Sequence, residues 1–252
     1  MAEAPSVTEG PVPVHFVAAG KYHDIDFARL EVLKLFADEP RIRATVAMDY
    51  SNIDRLRESR LLVTYTCDLM PTEVEAAAIR EWLYAGGKWL ALHGTNSILR
   101  FLEDGRVDAP DERPDVMALL GTQFVAHPPI GPMNVRVVQP DDPLVAGESD
   151  FETVDELYLS RTTGEIDVLL DTGFEGEATG FVDKDWPETR VPVLYRMRHG
   201  AGEVVYYTLG HCRGHYDVPV FTPFWPHPER CSWNYPVHTR LLRRMIAWGV
   251  AQ

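Results

Sequence analysis

The chain has 252 residues, 45% of them hydrophobic, which is enough for one sizeable core, and no apolar run is long enough to span a membrane. Its formal net charge of -14 leaves no Lys/Arg surplus of the kind that phosphate backbones or anionic bilayers require, so neither nucleic acid nor membrane is an expected partner. The opening MAEAPSVTEGP lacks the basic start and apolar stretch of a secretory signal, and Cys67, Cys212 and Cys231 form no CxxC pair; a cytoplasmic protein with reduced thiols is expected.

Residues 1–11, small, polar and Pro-containing, read as a flexible leader, and residues 12–252 as a single domain. VPVHFVAAG, from Val12, reads as a buried strand feeding a Gly-containing loop. Asp26 can cap a following helix whose apolar Phe27, Leu30, Leu33 and Leu35 lie near one stripe. ATVAM is a second strand and SRLLVTYT a third. Thr72 opens an amphipathic helix through Trp82, stopped by Gly86 and Gly87, and KWLAL is a fourth strand ending at His93. Strands alternating with helices at this spacing predict an α/β fold with a doubly wound, mainly parallel sheet covered by helices on both faces. Beyond residue 130, NVRVVQ, EIDVLL, VPVLYRM and GEVVYYTL are strand-like with few helices between them, and add mixed or antiparallel strands in the C-terminal half. PVHTRLLRRMIAWGV closes the chain as a helix, with Pro236 in its first turn and Val237, Leu241, Met245 and Trp248 at helical spacing.

In an open α/β sheet the carboxyl ends of the strands meet at one crevice. His93 follows KWLAL, His127 stands in FVAHPP, His211 ends YYTLGH, and His23 lies in the first loop, so their side chains are candidates to converge there. Each has a plainer alternative: a hydrogen-bonded structural histidine at His93 or His211, a rigid turn at Pro128 and Pro129, and an exposed His23 beside an Asp24 that caps the approach to the first helix. Glu156, in TVDELY, can complete a set of three histidines (His93, His127, His211) and one carboxylate, a composition suited to zinc or another divalent metal ion. The competing reading is a solvated acid. His23 beside Asp24 is placed to move protons, so His23, His93 and Glu156 are the catalytic candidates. No GxSxG, P-loop or GxGxxG stretch is present. From Arg213 to Pro236 the chain is dense in proline and aromatic rings without a strand or helix period, as in a lid or binding loop. His215, Tyr216, Trp225 and Trp233 from this stretch are candidate substrate contacts; a homo-oligomer contact or a cap over the core is the alternative use of its rings.

Taken together, GKYHD, AGGKWLALHGTNS, LLGTQFVAHPP, the DELY of Asp155 to Tyr158, and GEVVYYTLGH resemble the ThuA-like, or trehalose utilisation, family, over roughly residues 12–250. The resemblance implies a flavodoxin-like sheet akin to that of class I glutamine amidotransferases, with His93 at the elbow where those enzymes carry cysteine. It implies carbohydrate metabolism, with a sugar, disaccharide or keto-sugar derivative as small-molecule substrate, and it carries His23, His93, His127, Glu156 and His211 over as polar crevice positions. Asn96, in a GTNS run where an Ala-Ala-Thr-Asp run is more usual, is placed with the substrate contacts. The sequence thus predicts a metal-assisted isomerase or hydrolase acting on a carbohydrate derivative. A non-catalytic sugar-binding or regulatory module of amidotransferase-like fold is the alternative, and a thiol enzyme using Cys67 or Cys212 a third.

Overall fold

The computed structural model describes residues 10–215, 217 and 227–251. Four strands are buried on both faces, because their alternate side chains enter two different cores. These are β1 (Val12–Gly20), β3 (Leu61–Cys67), β4 (Lys88–Leu92) and β13 (Gly202–Tyr207). In β4, Leu90 and Leu92 join one core while Trp89 and Ala91 join the other; in β1, Phe16 and Ala18 are set against Val17. Helix α1 (Ile25–Ala37) and the last helix, α5 (Pro236–Val250), cover the first core, and α3 (Glu73–Tyr84) and α4 (Pro114–Leu120) the second.

The remaining strands are β2 (Ile42–Ala47), the short pair β5 (Arg100–Phe101) and β6 (Val107–Asp108), β7 (Thr122–Ala126), β8 (Gly131–Val137), β9 (Phe151–Asp155), β10 (Leu159–Thr162), β11 (Asp167–Glu177) and β12 (Asp185–His199); α2 (Ile53–Glu58) precedes β3. Nine strands form one mixed sheet in the order β2-β1-β3-β4-β13-β12-β11-β8-β9, parallel from β2 to β13 and antiparallel from there to β9. The C-terminal half therefore extends the first sheet, as its strand-like runs predicted. Its β13 inserts beside β4 in the middle of the sheet, level with it from Glu203 opposite Lys88 to Tyr207 opposite Leu92.

Local chemistry sets the helix ends. Thr72 caps α3 in a reciprocal capping box with Glu75, and Pro236 opens α5. Asp24, not Asp26, caps α1, accepting from Phe27 N at 3.1 Å, and Asp26 instead pairs with Arg29 one turn on. The buried face of α1 is accordingly Ala28, Val32, Leu35 and Phe36, and Leu30 of the expected stripe is 53% exposed. Among the described residues no helix is long and apolar enough to cross a membrane.

Candidate functional site

Register brings the ends of the parallel strands level. Gly20 lies opposite Cys67, and Tyr65, Leu92 and Tyr207 lie side by side. The loops that leave these ends carry His23, His93 and His211. Glu156 directly follows β9, the far strand of the sheet, yet its Oε2 lies 3.5 Å from His93 Nε2. The antiparallel half must curl back over the crevice to deliver it, which the register shifts in the long β11–β12 pair permit. His93 occupies the first position of a 3-10 turn with φ at 43°, a left-handed backbone that turns its ring into the crevice.

His23, His93, Glu156 and His211 each place one ligand atom so that all four lie within 4.8 Å of one another, and all four residues are buried. His127 touches the group through Glu156 alone, Nε2 to Oε1 at 3.2 Å, and its side chain is 27% exposed. The structure thus groups His23 with His93, Glu156 and His211, and sets His127 at the rim.

The outer nitrogens of these imidazoles define the inner ones. His93 Nδ1 lies 2.7 Å from Thr208 O, His23 Nδ1 3.2 Å from Lys21 O, and His127 Nδ1 2.8 Å from Pro128 O. A carbonyl can only accept, so each of these nitrogens carries the hydrogen. His211 Nε2 similarly faces Glu229 Oε2 at 3.1 Å. What remains inside is lone pairs: His23 Nε2 and His93 Nε2 at 2.9 Å from each other, and His211 Nδ1 at 3.2 Å from Glu156 Oε2. That last contact lacks hydrogen-bond geometry, and His211 Nδ1 is a buried atom with no hydrogen-bond partner. An acceptor-only cluster of this kind is repulsive unless protons or a cation sit within it.

The electrostatics agree. Burial pushes His23 down to about 3, keeping it neutral. Burial also acts to lower His211, but the Glu156 charge beside Nδ1 and the hydrogen bond to Glu229 outweigh it and raise the ring to about 9, so that in the absence of a metal His211 carries a second proton, on Nδ1. Glu156 is held well below the usual carboxylate range; burial works against ionisation there, and the charges of His127 and His211 prevail. Behind the cluster, Asp155 accepts from Glu156 N at 2.7 Å, His211 N at 3.1 Å and Gly210 N at 2.9 Å, tying the end of β9 to the segment after β13.

A cavity of about 280 Å³ opens onto this cluster, with His23, His127, Glu156 and Arg213 on its polar side. Its walls include Tyr22, Leu99, Phe101, Phe124, Tyr158 and Phe181. Cys67 also lines it, but burial pushes its thiol well above the usual range, and burial likewise pushes Cys212 up to about 12; neither is a ready thiolate nucleophile. Of the expected substrate contacts, Asn96 is fully buried, donating from Nδ2 to Thr122 Oγ1 at 2.8 Å and from its amide to the Tyr206 hydroxyl at 3.0 Å, and it does not line the cavity. Trp233 donates to Gly210 O at 2.9 Å and packs on Phe27 and His238, beneath the site. His215 does not appear in the cavity lining among the described residues. Tyr216 and Trp225 lie outside the described residues. Glu229, Arg213, Tyr158 and Phe181 went unnoticed in the sequence as site residues; the acidic partner of His211 had no signal beyond a lone Glu in the Pro-rich stretch.

The family model described as ThuA, trehalose utilisation, matches residues 14–225. Among solved structures, the chain is similar to a ThuA-like protein from Bacteroides uniformis (15% identity, TM-score 0.68, 99% of this chain and 96% of that one). It is similar also to one from Parabacteroides merdae (14% identity, TM-score 0.65, 96% and 90%). A β-galactosidase from Rahnella sp. R3 matches 80% of this chain with 29% of its own length, at 14% identity and a TM-score of 0.55. At these identities the likeness shows the fold alone. No curated protein sequence matches the chain.

Proposed function

This chain belongs to the ThuA, trehalose utilisation, family, and from that premise we propose that it is a cytoplasmic, metal-assisted enzyme acting on a sugar or keto-sugar derivative. In this reading the sheet is a flavodoxin-like, doubly wound scaffold, and residues 12–252 are one domain.

The observation that carries the reading is the set of converging lone pairs. His23, His93 and His211 each commit the outer nitrogen to an acceptor and turn the inner one, with the Glu156 carboxylate, toward a common centre. Three imidazoles and one carboxylate, with the second nitrogens fixed by outer partners, form a donor set suited to zinc or a similar divalent ion. When bound, such an ion supplies Lewis acidity to a carbonyl or hydroxyl oxygen. The chain's own residues do the rest. The aromatic walls take the apolar face of a sugar ring and exclude water. His127, half in the cavity with Nε2 turned toward Glu156, moves a proton between the substrate and the Glu156 side of the cluster. Arg213, with Nη2 3.8 Å from Glu156 Oε1, offsets the negative charge at the polar end. An enolising isomerisation and a hydrolytic cleavage both use this arrangement.

Elemental analysis of protein purified without added metal tests the reading, together with turnover of keto-sugars. Near-stoichiometric zinc, manganese or iron, lost on replacing His93, supports it, and metal-free wild type that turns over no sugar derivative overturns it. The second reading is a non-catalytic sugar-binding module. It is favoured by the β-galactosidase likeness, in which the fold makes up 29% of a longer chain. Saturable sugar binding without metal or turnover would establish that reading instead.

A further inference from the structure

Of the four imidazoles at this site, His23, His93 and His127 rest their outer nitrogens on backbone carbonyls, whereas His211 rests its own on a carboxylate, Glu229. A negative charge behind an imidazole draws on its N–H more strongly than a neutral carbonyl does, and so makes the opposite nitrogen a better donor. Glu229 is itself held in place. Its backbone pairs with Arg213 in an antiparallel bridge, with N–O distances of 3.1 and 2.8 Å, and its Oε2 also accepts from Arg213 Nη1 at 3.1 Å. Its side chain is 22% exposed, so the contact is partly shielded from solvent.

We propose that Glu229 is the charged positioning residue of the metal centre: its carboxylate holds His211 with Nδ1 turned inward and strengthens that nitrogen as a ligand. The inference rests on the reading that the cluster takes a divalent ion. Because Glu229 closes the segment that begins at Arg213, the arrangement also ties the orientation of a buried ligand to the base of the Pro-rich, aromatic-rich stretch. Glu229 does not touch the 280 Å³ cavity among the described residues, so it acts through His211 and not on substrate.

The test is the affinity of the metal-stripped, full-length protein for Zn²⁺ alone, measured by competition with a chromophoric chelator. Glu229→Gln keeps the shape and an acceptor for His211 Nε2 but removes the charge; its affinity is expected to fall by about 10–100-fold, with circular dichroism and melting temperature of the apoproteins unchanged. Glu229→Asp, which keeps the charge but draws it back by one methylene, is expected to fall between. Glu188→Gln, which removes an exposed carboxylate on β12, leaves affinity at the wild-type value. Wild type that binds zinc tightly and a Glu229→Gln protein within twofold of it overturn the inference and leave the proposed function standing. Should Glu229→Gln fail to fold, wild-type affinity in Glu229→Asp has the same force. Wild type that binds no zinc overturns the proposed function and the inference together.

Discussion

At the level of single residues, His93 combines two demands that rarely coincide. Its φ of 43° places a non-glycine residue in the left-handed region, at a cost of roughly 1–3 kcal/mol, and its ring is fully buried, with Nδ1 held by Thr208 O and Nε2 turned into the cluster. Asparagine tolerates that backbone better than alanine does, so His93→Asn should remain folded by circular dichroism while its metal content drops to background. His127→Ala makes the complementary case: metal content should persist, and turnover should fall by about 100-fold or more, the scale of a lost general acid or base. Gly94, next along the chain, matters for the side chain it lacks. A Cβ there would stand 2.6 Å from Thr66 O and 2.8 Å from the Cys67 Cβ, so the turn after β4 can approach the end of β3 only without a side chain. Gly94→Ala should cost about 1–3 kcal/mol, read as a lowered melting temperature.

Among elements, the antiparallel half of the sheet carries its own electrostatic clasp. Asp171 on β11 accepts from Arg136 of β8 (Nε at 3.0 Å, Nη2 at 2.8 Å) and from Arg190 of β12, bridging three neighbouring strands. Burial acts to raise its carboxyl, but the hydrogen bonds from Arg136 and Arg190 prevail and hold it below the usual range. A carboxylate lowered in the folded state contributes stability that is present above its unfolded value of about 3.9 and is lost as pH falls through the folded value. The arginines are about half exposed, so the effect is modest. In melting temperatures taken from pH 6 downward, wild type should fall more steeply below about pH 4 than Asp171→Asn, and parallel curves would refute the clasp. The elements also show what can be read from sequence. KWLAL is legible as an apolar run bounded by Gly87 and His93, and the Thr72-capped helix and the closing helix because each carries a period and an end signal. The order of the strands is not, since β13 enters beside β4 after the intervening strands have been laid down, and periodicity says nothing about partners. Strands β5 and β6, two residues each, and the seven-residue helix α4 have too few residues to show a period. His23, His93 and His211 were legible as site candidates because strand ends are where an α/β sheet gathers side chains; Glu229 was not, because what brings it there is a single backbone bridge to Arg213.

For the whole molecule, a bound ion adds stability by mass action. At free metal one hundred times the dissociation constant the gain is about 2.7 kcal/mol, which for a chain of this size corresponds to roughly 5–10 °C. Stripping the metal-loaded protein with a chelator should lower its melting temperature by that much, and the same treatment of His93→Asn should change nothing. A wild type whose melting temperature is indifferent to chelation would argue for a centre held together by protons. The cluster is also assembled from distant parts of the polypeptide: the loop after β1, the turn after β4, the end of β9, the segment after β13, and Glu229 beyond it. No short fragment contains it. On the proposed function, a growing chain on the ribosome cannot chelate an ion at this centre until His211 has emerged and the far strands have curled back. Loading the centre then reports on completed folding and not on translation in progress.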